Sequence, residues 1–280
     1  LLASAQVKSC ILLAGLHAEG TTTVIENEVT RDHTERMLRW FGAAVKTGAA
    51  DREPKAARFA AVTGPTQLSG RVVSVPGDIS SAAYFIAAAA LLAGSSLEIV
   101  DVGLNPTRIA FLDQLRETGI DVAVANEGES SGEPGGDLRV HGQQAMKNGH
   151  ATTLTINGTI IPQLIDELPL LAVIGSQLPG GVEIRNASEL RVKESDRIAA
   201  TAAGLRAMGA DIEEFDDGLR VGGPSRLRGA TIDSHGDHRI AMSFTVAGLI
   251  AEGETEIVGA DCVAVSFPEF FDLLESVTER

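Results

Sequence analysis

Five of the eight side chains in Leu190-Arg191-Val192-Lys193-Glu194-Ser195-Asp196-Arg197 are ionisable, and both signs are present. An apolar helical spacing follows at once, with Ile198, Ala202, Leu205 and Met208, and Gly209 stops it. A lysine, a glutamate and an arginine are thus gathered at a helix start, where unpaired N–H groups and the helix dipole favour anions. A carboxylate among cations there can move a proton or fix the cations. A solvated helix start laced with i,i+3 and i,i+4 pairs would carry the same residues. Two other segments add to it. Gln163-Leu164-Ile165-Asp166-Glu167-Leu168-Pro169 sets adjacent carboxylates before an apolar helix at 170–174. They either cap that helix or place one acid as a base for a hydroxyl proton; adjacent side chains face apart, so at most one does the latter. Gly236-Asp237-His238-Arg239-Ile240-Ala241-Met242 brings two bases in behind a glycine turn, and Arg239 can grip a phosphate or carboxylate with both arms of its fork.

The elements that must position these residues form a repeat. An apolar helix ending in glycine, a β-rich run and a capped helix occur in that order four times. The first copy has the helix at 11–20, the run at 21–25 and the capped helix at 30–43. The second has 87–94, 96–100 and 105–120; the third has 170–181, 182–185 and 193–210; the fourth has 241–253, 255–258 and 266–274. A period of roughly 70–90 residues exceeds any solenoid repeat, so each copy is a compact α/β unit. Further β-type runs lie between copies at 56–62, 71–75, 138–140, 154–156 and 219–221. Asn105 with Pro106 predicts an N-cap and first turn, and Ser266 with Glu269 predicts a capping box. The first helices open on Ser4 and Gln6, on Asp78, Ser80 and Ser81, and on His238 and Arg239. If the units pack around a pseudo-threefold axis, such starts converge and suit a multiply charged anion.

Composition narrows the classes. A chain of 280 residues makes one large domain or two smaller ones. Aromatic residues make up 4% against 44% hydrophobic, so the core is expected to be aliphatic. A net charge of −15 argues against nucleic acid and anionic membranes as partners. Cys10 and Cys262 lack metal-ligand spacing and are expected as buried, reduced thiols of a cytoplasmic protein. The Ala-rich run at 84–93 is too short for a membrane span. Leu1-Leu2-Ala3 is not a natural beginning, so the chain is expected to be cut from something longer.

Ser4-Ala5-Gln6-Val7-Lys8-Ser9, Thr30-Arg31-Asp32-His33-Thr34, Gly103-Leu104-Asn105-Pro106-Thr107-Arg108, Lys193-Glu194-Ser195-Asp196-Arg197 and the 236–242 segment together resemble 5-enolpyruvylshikimate-3-phosphate synthases, in order and with fitting spacing. The resemblance runs from Ser4 to the last helix and covers the C-terminal two thirds of that family. It implies an inside-out α/β barrel of repeated βαβαββ units, six in two domains. Residues 1–76 would then be the end of one domain and 77–280 the whole of the other. It also implies enolpyruvyl transfer from phosphoenolpyruvate to the 5-hydroxyl of shikimate-3-phosphate, with no cofactor, no metal and a full-length monomer.

By the same resemblance, Asp166 would take the hydroxyl proton and hold the ring hydroxyls. Glu194 would protonate the methylene carbon and later take a proton back. Ser4, Ala5 (through its backbone), Gln6, Arg31 and Lys193 would hold shikimate-3-phosphate. Gln6, Glu194, Arg197, His238 and Arg239 would face phosphoenolpyruvate, with His238 supporting Glu194 or Arg239. Thr34, Glu35, Asn105 and Arg108 are left as caps and pairs. One departure stands out: Val265 occupies a place where some members carry a lysine, and Lys8 is no obvious substitute. Two alternatives remain. A sister transferase acting on a UDP-sugar would use a loop cysteine, which neither Cys10 nor Cys262 resembles. A fragment could also bind shikimate-3-phosphate without turnover.

Overall fold

A computed structural model describes residues 4–51, 57–142 and 152–278; the opening Leu1-Leu2-Ala3 lies outside them, as does Ala56 of the run read at 56–62. The first copy of the repeat is α1 (Ala5–Gly15), β1 (Gly20–Glu26) and α2 (His33–Trp40), followed by β2 (Val45–Ala49) and β3 (Arg58–Gly64). The second is α3 (Ile79–Leu91), β4 (Ser96–Gly103), α4 (Ala110–Glu117), β5 (Val122–Ser130) and β6 (Glu133–His141). The third is β7 (Leu154–Ile156), a short α5 (Ile161–Leu164), α6 (Leu168–Gly175), β8 (Val182–Ile184), α7 (Arg197–Ala207), β9 (Ile212–Phe215) and β10 (Gly218–Val221). The fourth is β11 (Thr231–Asp233), α8 (His238–Ile250), β12 (Glu256–Val258) and α9 (Phe270–Val277).

Strand pairing follows this grammar. Within the third copy, β7 and β8 run parallel around the α6 crossover, and β10 joins β8 and β9 antiparallel, giving the order β7-β8-β10-β9. In the fourth copy β11 and β12 are parallel around α8. Such connections are the ones in which a helix packs back onto its own sheet. The first copy forms an antiparallel sheet β1-β3-β2, and β4, β6 and β5 form a second three-stranded sheet in the order β4-β6-β5.

The chain divides into two compact units: Leu1–Gly77 with Val100–Ala110 and Ala125–Asp137, and Asp78–Ile99 with Phe111–Val124 and Leu138–Arg280. In the second unit, α3, α6 and α8 pack on one another, with α7 against α6 and α8. Every residue of α6 is buried, and most of α3 and α8 is too. These helices carry apolar or small residues on all sides, so they belong in an interior rather than on a surface. Close approach is bought with glycine: a Cβ on Gly204 of α7 would stand 2.2 Å from the Phe244 ring of α8. In the first unit, Leu12, Leu16, Leu38, Ala43, Ala60 and Val62 form the core under the β1-β3-β2 sheet.

Several expectations are corrected. The run at 71–75 forms no strand; Val72 and Val75 are 90% and 81% exposed, and Trp40 donates to the Val72 carbonyl instead. The Ser266 capping box does not form. The chain closes a 3-10 turn at Ala260–Val265, and α9 begins only at Phe270, where Phe267 and Phe270 pack with Phe85 at centroid distances of 5.7–6.0 Å. This aromatic cluster qualifies the otherwise aliphatic core. Asn105 caps no helix: its Oδ1 accepts from the Thr107 N–H and hydroxyl in a local turn, and α4 starts at Ala110. Cys10 is exposed rather than buried, because the inward positions of α1 are Lys8, Leu12 and Gly15. Cys262 is half-buried, in the 3-10 turn, rather than buried, and its thiol lies 3.8 Å from the Ser234 hydroxyl. Among the described residues no single helix is long and apolar enough to cross a membrane.

Candidate active site

Asp196 caps α7 by accepting from the Ala199 N–H at 3.0 Å, which makes Arg197 the first helical residue. Its side chain is only 2% exposed. The guanidinium gives Nε to Asp237 Oδ2 at 2.7 Å, and Nη2 to Asp237 Oδ1 at 3.2 Å and to Glu194 Oε2 at 2.7 Å. Its Nη1 stands 3.5 Å from Asp166 Oδ1 and makes no hydrogen bond among the described residues. One buried cation therefore ties together the two carboxylates singled out in the sequence.

Asp237 is the third acid on that cation. It is fully buried, caps α8 by accepting from the Arg239 N–H at 2.8 Å, and receives the Ser195 hydroxyl at 3.0 Å. Burial pushes its carboxyl up, but the bonds and charge of Arg197 more than offset this, so it stays below the usual carboxylate range. It thereby binds the start of α7 to the start of α8. The sequence reading passed over it for the two bases that follow, although an Asp before a helix start is the usual cap signal.

The two acids before α6 diverge. Glu167 occupies the N-cap position without capping through its side chain; its buried carboxylate takes the Ser80 hydroxyl at the start of α3. Asp166 turns toward Arg197. Burial would loosen the proton of Arg239, but Tyr84, Asp166 and Glu167 outweigh it and hold the guanidinium firmly charged. Tyr84 is buried on α3, and burial pushes its hydroxyl up to about 12. His238 is shifted the other way, first by burial and then by Arg239, so its imidazole is neutral at pH 7. Lys193 pairs with Glu189 one turn earlier and keeps a quarter of its side chain exposed. The starts of α3, α6, α7 and α8 are thus linked through polar side chains.

The structure brings Asp166, Lys193, Glu194, Arg197, His238 and Arg239 to the starts of α6, α7 and α8 in the second unit. Ser4, Ala5, Gln6 and Arg31 lie in the first unit. Ser4 caps α1 with its hydroxyl 3.4 Å from the Val7 N–H, Ala5 opens the helix, Gln6 is exposed, and Arg31 sits in the loop before α2. Val265 is 86% exposed, and Lys8 is buried between two glutamates. Chemically, the second unit offers two acids on a shared arginine, a second arginine, a neutral imidazole and a partly exposed lysine. Such a set can bind an anionic group and shuttle protons beside it.

Comparison with known proteins agrees. The family model for EPSP synthase (3-phosphoshikimate 1-carboxyvinyltransferase) matches residues 2–274. The 3-phosphoshikimate 1-carboxyvinyltransferases of a Synechococcus strain and of Pelotomaculum thermopropionicum are each 51% identical, over 98% and 99% of this chain. The chain spans only 59% and 61% of their lengths. EPSP synthase from Acinetobacter baumannii superposes with a TM-score of 0.84 at 42% identity, over 99% of this chain and 61% of that one. The enolpyruvyl transferase NikO from Streptomyces tendae shares the fold at a TM-score of 0.73 and 22% identity, over 95% of this chain and 57% of its own. With the family model matched over residues 2–274 and relatives about half identical along nearly all of it, the chain belongs to the EPSP synthase family.

Proposed function

We propose that the protein to which this chain belongs transfers the enolpyruvyl group of phosphoenolpyruvate to the 5-hydroxyl of shikimate-3-phosphate, releasing phosphate in aromatic amino-acid biosynthesis. The observation that carries this reading is Arg197, held at once to Glu194 at 2.7 Å and beside Asp166 at 3.5 Å, with Arg239 charged next to Asp166. Addition requires the 5-oxygen to bond to C2 of phosphoenolpyruvate, a proton to leave that hydroxyl and a proton to reach C3. Elimination then breaks the bond to phosphate and returns the C3 proton. Asp166 takes the hydroxyl proton; Glu194 gives the C3 proton and takes one back. Arg197 and Arg239 hold phosphoenolpyruvate, with His238 supporting Glu194 or Arg239. Lys193, Ser4, the Ala5 backbone, Gln6 and Arg31 hold shikimate-3-phosphate, and Gln6 also reaches phosphoenolpyruvate.

In this reading residues 1–76 end one three-unit domain and 77–280 form the other, and the full-length protein is a cytoplasmic monomer. A UDP-sugar transferase is disfavoured by the cysteines: Cys10 lies on the outer face of α1, and burial pushes the Cys262 thiol up, away from the reactive thiolate. Calorimetric titration tests the proposal. The chain is titrated with shikimate-3-phosphate alone, then with phosphoenolpyruvate present, and activity is assayed after the rest of a relative is added in trans. Saturable one-to-one binding and recovered phosphate release support the transferase. Binding without any recovered turnover would favour a non-catalytic binding fragment, and no binding under any condition would overturn both.

A further inference from the structure

The first unit holds a buried ionic cluster that the proposed chemistry does not use. Lys8 lies on α1, two residues beyond Gln6, and its side chain is 3% exposed. Its ammonium reaches Glu35 Oε1 on α2 at 2.8 Å, and the Glu26 carboxylate at the end of β1 at 3.1 and 3.3 Å. Glu26 in turn accepts the Thr30 N–H at 3.1 Å and the Thr30 hydroxyl at 2.8 Å. Beside this, the Ser9 and Thr34 hydroxyls meet at 2.6 Å. Thr30 is buried and directly precedes Arg31. Glu35 is 2% exposed, and its second oxygen has no hydrogen-bond partner among the described residues.

One buried and one largely covered carboxylate around one buried ammonium are costly to desolvate, and a well-packed apolar trio of the same volume would hold α1, β1 and α2 together at least as well. What the ionic cluster adds is direction. It fixes the backbone on both sides of Arg31, through Glu26 to Thr30 and through Glu35 to α2. The other end of the fastening is the helix that opens with Ser4, Ala5 and Gln6. We infer that Lys8 is a positioning residue: it takes no ligand itself, but sets Arg31 at a fixed distance from Ser4 and Gln6, so that the three grip one phosphorylated ligand. The inference rests on the proposal that these residues hold shikimate-3-phosphate. It also answers the question raised by Val265, because a lysine held between two acids is not available as a replacement ligand cation.

The test is the titration described above, run with shikimate-3-phosphate and with unphosphorylated shikimate. The double variant Lys8→Met/Glu35→Gln removes one charge of each sign and keeps side-chain volume. The single variant Glu26→Gln keeps a polar group beside Thr30 and serves if the double variant does not fold. Each should lose about tenfold or more in affinity for the phosphorylated ligand, since small misplacements of a positioned group cost that much or more. Shikimate should bind nearly as before, and the loss should vanish in an Arg31→Ala background. A purely structural role would lower the thermal midpoint and leave the ratio of the two affinities unchanged. That result, or a loss that persists undiminished without Arg31, overturns the inference. If the unaltered protein binds no shikimate-3-phosphate, the proposed function falls first and takes the inference with it.

Discussion

At the scale of single residues, the arginine at the start of α7 is nearly saturated. Arg197 gives three hydrogen bonds to Asp237 and Glu194, which leaves its buried Nη1, beside Asp166, without a hydrogen bond among the described residues. It therefore orients acids, whatever share it also takes of the proposed grip on phosphoenolpyruvate. Glu194 is about half exposed and is held toward Arg197 by this bond. Replacing Glu194 with Gln keeps a bondable oxygen near Arg197 but removes the carboxylate proposed to carry the proton. Turnover of the completed enzyme should fall by roughly 10²–10⁴, the span typical of a lost acid–base group. Shikimate-3-phosphate affinity should stay close to normal. Phosphate release at the unaltered rate would show that the proton comes from elsewhere. Asp166→Ala should behave differently, weakening both affinity and rate, because in the proposed mechanism the same carboxylate holds ring hydroxyls and takes a proton. Normal affinity in calorimetry would assign Asp166 to the neutralisation of Arg197 and Arg239 alone.

At the scale of elements, the site depends on how closely α7 lies against α8. Gly204 faces the ring of Phe244, which is itself fully buried and has nowhere to turn. Gly204→Ala would ordinarily favour a helix, yet here overpacking should dominate and cost about 1–3 kcal/mol. Urea unfolding should show a lower midpoint with an unchanged slope; a rise in stability would mean that the two helices can part without loss. The same pair shows what was legible in the sequence. The helix starts could be read because capping is local chemistry, as with Ser4, Asp78 and Asp196. So could the α-β-α order, since each copy repeats one hydrophobic period change. The Arg197–Asp237 fork could not, because its partners are 40 residues apart and only packing joins them. Nor could the cluster around Asn105, whose amide reaches Asp32 at 2.7 Å and Glu133 at 3.0 Å. The sequence suggested a helix cap there, and what forms is a long-range polar junction.

At the scale of the whole molecule, the two units differ in how completely they bury their helices. In the second, α3, α6 and α8 cover one another; in the first, α1 leaves Val7, Ile11 and Leu13 open. Both units share one dependence on pH, because each stakes part of its stability on groups whose protons bind less tightly in the folded state. His238 is held below its ordinary value of 6.5 by burial and by Arg239. Asp237 and Asp32 are held below 3.8, where arginine contacts outweigh burial. For every such group the unfolded chain binds more protons over the interval between the two values, so acid favours unfolding. The contributions are complete above the ordinary values and are lost as pH falls through the folded ones. Stability should therefore be flat from about pH 8 to 7 on this account. It should decline first as pH drops below the ordinary histidine range, and again, more steeply, below the ordinary carboxylate range. Urea unfolding at a series of pH values measures both steps. His238→Gln should remove the first and leave the second, since the Asp237–Arg197 fork and the Asp32–Arg36 pair remain in place. A first step that survives in that variant would mean that some other group titrates there and that His238 is not held neutral by its burial against Arg239.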